Sequence, residues 1–163
     1  MTRQQFVFEA RHAARLDASP GAIRAAALDV AWSGTAVGYE VRDVVESVPG
    51  VPYRWTTVAR SGIVRQRNAT SLVSADPVVM RSEASGGALV QTSTMHVEPA
   101  RGTDGRTAVE WHLRVELSLR DPLSRLLQRA LAPSTTRSLE RELARQMTRW
   151  AAAVEARAAH APA

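Results

Sequence analysis

Cysteine is absent from all 163 residues. That excludes disulfides, thiol nucleophiles and thiolate metal sites, and it fits a reducing cytoplasm. Lysine is absent too: every one of the 21 basic residues is arginine, a bias of G+C-rich coding more than a functional choice. Long apolar runs are missing, and no window approaches the roughly 18 uncharged apolar residues of a membrane-spanning helix. The opening segment, MTRQQFVFEARHAARL, carries a charge every few positions and no apolar stretch, so it is not expected to act as a signal peptide. A soluble, intracellular protein is expected. The chain has no internal repeat, no G-x-S-x-G elbow, no phosphate-binding loop and no dinucleotide fingerprint after a strand.

What remains is enough for one domain, residues 1–163, with 45% hydrophobic residues to build a core. The net charge of +5 could attract anions or an acidic carrier protein. The arginines are spread along the chain with no aromatic-rich basic motif, so no nucleic-acid partner is expected.

Residues 6 to 16 alternate cleanly. Phe6, Phe8, Ala10, His12, Ala14 and Leu16 fall on one side and Val7, Glu9, Arg11, Ala13 and Arg15 on the other, the mark of a strand with one buried face. Asp17, Ser19 and Pro20 then supply a helix start, and AIRAAALDVAW is expected to be helical until about Ser33-Gly34. From Gly38 to Leu119, short β-branched and aromatic runs are separated by turn signals. Six strands are expected, near 38–46, 53–60, 63–74, 78–84, 88–98 and 107–119, with a bulge at Val44-Val45. In the last third, PLSRLLQRAL reads as a short helix that Pro133 interrupts. Ser134, Thr135 or Thr136 would cap a second, long helix to about Ala159. Its stripe of Leu139, Leu143, Met147, Trp150 and Val154 would lie on a sheet.

Strand, helix, six strands and a long helix is the order of a known architecture. Three stretches carry the likeness: LDASPGAI at a strand-to-helix turn, SADPVVM at a strand–Asp-Pro–strand hairpin, and HVEPARGTDGRTAVEW at the penultimate hairpin. Over about residues 6 to 158 the chain resembles the START/Bet v 1-like (SRPBCC) helix-grip superfamily, in its polyketide cyclase/dehydrase-like branch. The resemblance implies an α+β fold in which a seven-stranded antiparallel sheet wraps a long C-terminal helix around an internal apolar cavity. It implies a cofactor-independent cyclase or dehydratase acting on an apolar polyketide-type substrate, or else a non-catalytic carrier of a hydrophobic ligand. No metal or other cofactor is implied. An acidic acyl carrier protein could be a partner, and the chain would be a monomer or a homodimer.

Alternation assigns the lining of such a cavity. His12 and Trp111 point inward, as do Gln91, Ser93 and Met95. Tyr53, Trp55 and Thr57 share one face, and the second strand offers Tyr39, Val41 and Asp43. Leu143, Met147 and Trp150 come from the helix. Counting back from the Asp-Pro hairpin puts Val73, Ser71, Ala69, Arg67 and Arg65 on one side, expected inward; a solvated outer arginine is the alternative. His12 is the acid/base candidate, because an imidazole exchanges a proton near neutral pH. A core histidine satisfied by a neighbour is the structural alternative. Tyr39 and Arg67 would assist it, with Gln91 and Ser93 orienting the ligand against Trp55, Met95, Trp111, Leu143, Met147 and Trp150. His96 and His112 fall on the outer face, where Glu98 or Glu110 could join them at a zinc ion only without inward convergence.

Overall fold

Period-two alternation builds the first strand, and burial follows it: Phe8, Ala10 and Leu16 are buried, while Gln5, Val7, Glu9, Arg11, Ala13 and Arg15 are exposed. The computed structural model describes residues 4–61, 64–84, 86–99, 105–119 and 122–160. In chain order the elements are β1 (Gln4–Leu16), α1 (Pro20–Leu28), α2 (Val30–Val37), β2 (Glu40–Val48) and β3 (Val51–Ser61). Then follow β4 (Val64–Ala75), β5 (Val78–Ala84), β6 (Leu89–Glu98), β7 (Thr107–Leu119) and α3 (Pro122–Ala159). The fold is α+β. One antiparallel sheet runs β1-β7-β6-β5-β4-β3-β2, so the first strand closes against the last along its full length.

The helices depart from the expected boundaries for local reasons. Ser19 caps α1, its Oγ accepting from the Ala22 N–H at 3.2 Å, and Pro20 opens the first turn. The run does not continue as one helix. Asp29 ends α1 and starts α2, its carboxylate accepting from the Trp32 N–H at 3.3 Å. Nor does α2 stop at Gly34. A Cβ there would come within 2.5 Å of Val41 Cγ2, so glycine at this point lets the helix lie against β2. The helix ends at Gly38, whose φ of 88° only glycine adopts freely.

Pro133 does not break the C-terminal helix, which is continuous over 38 residues. A proline removes one i→i−4 hydrogen bond, and this one sits on the exposed side. The expected caps act otherwise: the Thr136 hydroxyl donates to the Ala132 carbonyl at 3.2 Å, within the helix.

Residues paired across neighbouring strands share a face, so the registers map the concave side in rows. His12, Trp111, Met95 and Val78 form one row. Ala10, Leu113, Ser93, Met80 and Leu72 form the next. Phe8, Val115, Gln91, Ser82, Thr70 and Trp55 form the third.

This map reverses the assignment of β4. Thr70 faces inward at 4% exposure, while Arg67 and Ala69 lie on the outer face, exposed. The β4–β5 register shifts between Leu72 and Ser74, and that bulge breaks a count by twos from the Asp-Pro hairpin. The Arg65 side chain lies outside the described residues. A second irregularity, between Arg42 and Val48 in β2, falls where a bulge was expected, with Asp43 at φ 54°.

The main core sits where α1 meets β5, β6 and β7. Ile23, Ala26 and Ala27 pack there with Leu16, Val78, Val97, Val109, Trp150 and Val154. Each large side chain so buried contributes about 1.5–3 kcal/mol. A smaller cluster joins Ala10, Leu113 and Leu143, and Met147 touches both. Polar ties fix the helices over the core. Trp150 Nε1 donates to Ser33 Oγ at 2.9 Å, Ser33 Oγ donates to the Ala26 carbonyl at 2.6 Å, and Glu155 accepts from the Asp17 N–H at 2.8 Å. Among the described residues no helix is long and apolar enough to cross a membrane.

Candidate ligand-binding groove

Backbone proximity sets the shape of the groove. α3 runs close to β1 and touches β7, α1 and α2, while the concave faces of β3 to β6 lie farther from its axis. Residues on that strip keep partial exposure although they face inward: Thr57, Asn68, Ser82, Gln91 and Ser93 are all half-buried. Trp55 and Thr70, at 4% exposure each, form its sealed floor.

Polar groups collect on this strip in an otherwise apolar face. Thr70 Oγ1 lies 3.1 Å from Thr57 Oγ1 and 2.8 Å from Ser82 Oγ, so three hydroxyls from three adjacent strands form one hydrogen-bonded ladder. Gln91 pairs in register with Ser82 and extends the row. Neither the Gln91 amide nor the Ser93 hydroxyl bonds to any described side chain.

His12 stands two rows from the ladder, toward α1. Its ring stacks on Trp111 with centroids 5.7 Å apart and an interplanar angle of 30°. Trp111 in turn meets Trp150 edge-on at 5.8 Å and 87°. The imidazole is half-buried and makes no hydrogen bond to a described residue. Met95, Trp111, Leu143 and Trp150 are buried in protein contacts, so they are the groove's packed end; Met147 is half-buried beside them.

Tyr39, between α2 and β2, reaches α3. Its Oη accepts from Gln146 Nε2 at 2.6 Å, and Gln146 Nε2 also donates to Glu142 Oε1 at 2.6 Å. Burial raises the Tyr39 pKa above its ordinary value; the Gln146 hydrogen bond opposes that and the Glu142 charge adds to it. A depression of about 370 Å³ opens beside it, lined by Thr35, Gly38, Glu40 and Val58. Arg67 is not part of this assembly, being exposed on the opposite face of the sheet. Trp32 packs half-buried against the main core, with the Arg157 guanidinium 4.7 Å from its ring centroid and that arginine paired to Asp29.

On the outer face His96 pairs with Glu110, and a depression of about 490 Å³ lies over Ala13 and Ala108 between Arg15, Glu98 and these two residues. His112 sits 3.8 Å from Glu9. No group of three or more histidine, aspartate or glutamate side chains among the described residues could hold a metal ion.

Sequence reasoning missed the ladder because it turned Thr70 outward. It also passed over Gln146, although that residue stands three places after Leu143 and four before Trp150, within the stripe.

No family model matches the sequence, and no curated protein matches it. Solved structures do. A START superfamily protein from Mycobacterium smegmatis superposes with a TM-score of 0.62 at 13% identity, over 93% of this chain and 97% of that one. The di-domain ARO/CYC StfQ from the steffimycin biosynthetic pathway gives 0.68 at 11% identity, covering 94% of this chain and 51% of that one, so the present chain spans about half its length. Ara h 8.0201 gives 0.58 at 10% identity, over 93% and 99%. At such identities the likeness is one of fold.

Proposed function

From the START/Bet v 1-like helix-grip fold that this chain adopts, we propose that its groove holds an apolar polyketide-type substrate and that the chain acts as a cofactor-independent cyclase or dehydratase. One observation carries the reading: polar side chains from β1, β3, β4, β5 and β6 converge on a concave apolar face. A pure hydrocarbon carrier has no use for them, because each polar group on an apolar wall costs desolvation when a ligand covers it. The likeness to the aromatase/cyclase StfQ supports the same reading.

The chemistry asked of the site is modest. In an intramolecular aldol condensation, a base removes a proton from the carbon between two carbonyls, and the enolate carbon bonds to a second carbonyl carbon. The resulting alkoxide takes up a proton, and loss of water follows. His12 is the base and the later acid. Gln91 and Ser93 hold substrate oxygens, and the Tyr39 phenol, protonated at neutral pH, donates a hydrogen bond. Holding both ends of the chain in reacting geometry supplies most of the rate. Arg67, outside the groove, has no part. The net charge of +5 suits delivery by an acidic acyl carrier protein.

A non-catalytic carrier is the second reading, favoured by one feature: no described residue bonds to the His12 imidazole to orient it. The test supplies a poly-β-ketone made in situ by a ketosynthase and an acyl carrier protein and follows cyclised products by mass spectrometry. His12→Gln should lower the cyclisation rate about 100-fold while remaining folded and binding a planar apolar probe. Wild-type rates in the folded His12→Gln protein would leave only the carrier.

A further inference from the structure

Thr70 and Thr107 are the buried polar residues among those described, and their hydrogen bonds differ in kind. Thr107 donates to a main-chain carbonyl, that of Ala18, at 2.6 Å. Among the described residues the Thr70 hydroxyl bonds only to two other hydroxyls. Valine has nearly the same shape and would suit the apolar face, so the ladder is not explained by packing.

Its proton count is informative. Each hydroxyl has one hydrogen to donate and two lone pairs. Three hydroxyls joined by two hydrogen bonds keep one hydrogen uncommitted. Thr70 is sealed, so that hydrogen cannot stay on it without a buried, unpaired donor. It therefore sits on Ser82 or on Thr57. Rotating the hydroxyls moves it from one end to the other, so the end facing a ligand can switch between donor and acceptor. The Gln91 amide beside Ser82 offers both as well.

We propose that the Thr57–Thr70–Ser82 ladder, with Gln91, is the specificity element of the groove and selects ligands carrying a 1,3-dicarbonyl or its enol. Such a pair presents two acceptors as the diketone and one donor with one acceptor as the enol. A contact that reverses its own polarity holds both forms without leaving a buried group unpaired. The inference rests on the reading that the groove binds a ligand, and the experiment separates the two.

Binding is followed by quenching of tryptophan fluorescence with two probes of similar size: 2-acetyl-1-naphthol, whose hydroxyl and carbonyl reproduce the enol pattern, and 2-propylnaphthalene, which lacks oxygen. The wild-type protein should favour the oxygenated probe by about tenfold or more, the size expected for one or two satisfied hydrogen bonds. Thr70→Val, which cuts the ladder at its middle and keeps the β-branched shape, should bring the two affinities within about threefold, chiefly by weakening the acetylnaphthol. Ser82→Ala should do the same, and serves if the valine variant is unstable. An unchanged preference in either folded variant overturns the ladder while leaving the groove intact. Failure of the wild-type protein to bind either probe overturns the groove, and the ladder with it.

Discussion

Tyr39 shows how a single residue gains a property from its setting. The phenol stands next to a glycine that ends a helix, and nothing local would perturb it. Burial against α3 then raises its pKa, with Glu142 adding to the effect. The folded protein consequently holds this proton longer than the unfolded chain does. The contribution to stability is complete below about pH 10, the ordinary value for tyrosine, and is lost as pH climbs through the folded value. Thermal melts from pH 9 to 11 should therefore show a decline that is shallower in Tyr39→Phe. An equally steep decline in the phenylalanine protein would assign the loss to other groups. His12 is a contrasting case, since alternation alone turned it inward, and the stacking on Trp111 follows from their direct pairing across β1 and β7.

Among the elements, α3 carries the clearest consequence. An exposed proline within a continuous helix costs a hydrogen bond and has the poorest helix propensity. Pro133→Ala should raise stability by up to about 3 kcal/mol, read as a higher denaturant midpoint with an unchanged slope. A midpoint that stays or falls would mean that the helix is broken at this place. The strands teach a different lesson. β1 and β7 follow strict alternation and were legible throughout, whereas β4 was not. An inserted residue at a bulge leaves composition and propensity untouched but exchanges the two faces of everything on one side of it.

For the whole molecule, stability depends on joining two apolar clusters, one under α1 and one along β1 and β7, through Met147. An aspartate there would place an unpaired charge against both. Met147→Asp should cost about 3 kcal/mol or more, while Arg141→Asp, on the exposed side of the same helix, should stay within about 0.5 kcal/mol. Similar losses from both would mean that α3 does not present this stripe to the sheet.

Sequence by itself determined the α+β architecture, the number of strands and their succession along the chain, the inward face of β1, β6 and β7, and the helix stripe. These are periodic, and a period is a property of neighbours two to four residues apart. It also brought forward His12, Gln91 and Ser93, because each interrupts an apolar pattern, and Tyr39 on an expected strand that in the structure starts one residue later. Only the tertiary structure decided the rest. Thr57 lies 13 residues from Thr70 and Thr70 lies 12 from Ser82, while Tyr39 and Gln146 are 107 apart, so the ladder exists only once the strands have paired in register and the Tyr39–Gln146 bond only once the helix has docked. Arg67 was lost from the site for the same reason: which side of a strand faces inward depends on register with its partners, and register is settled between strands.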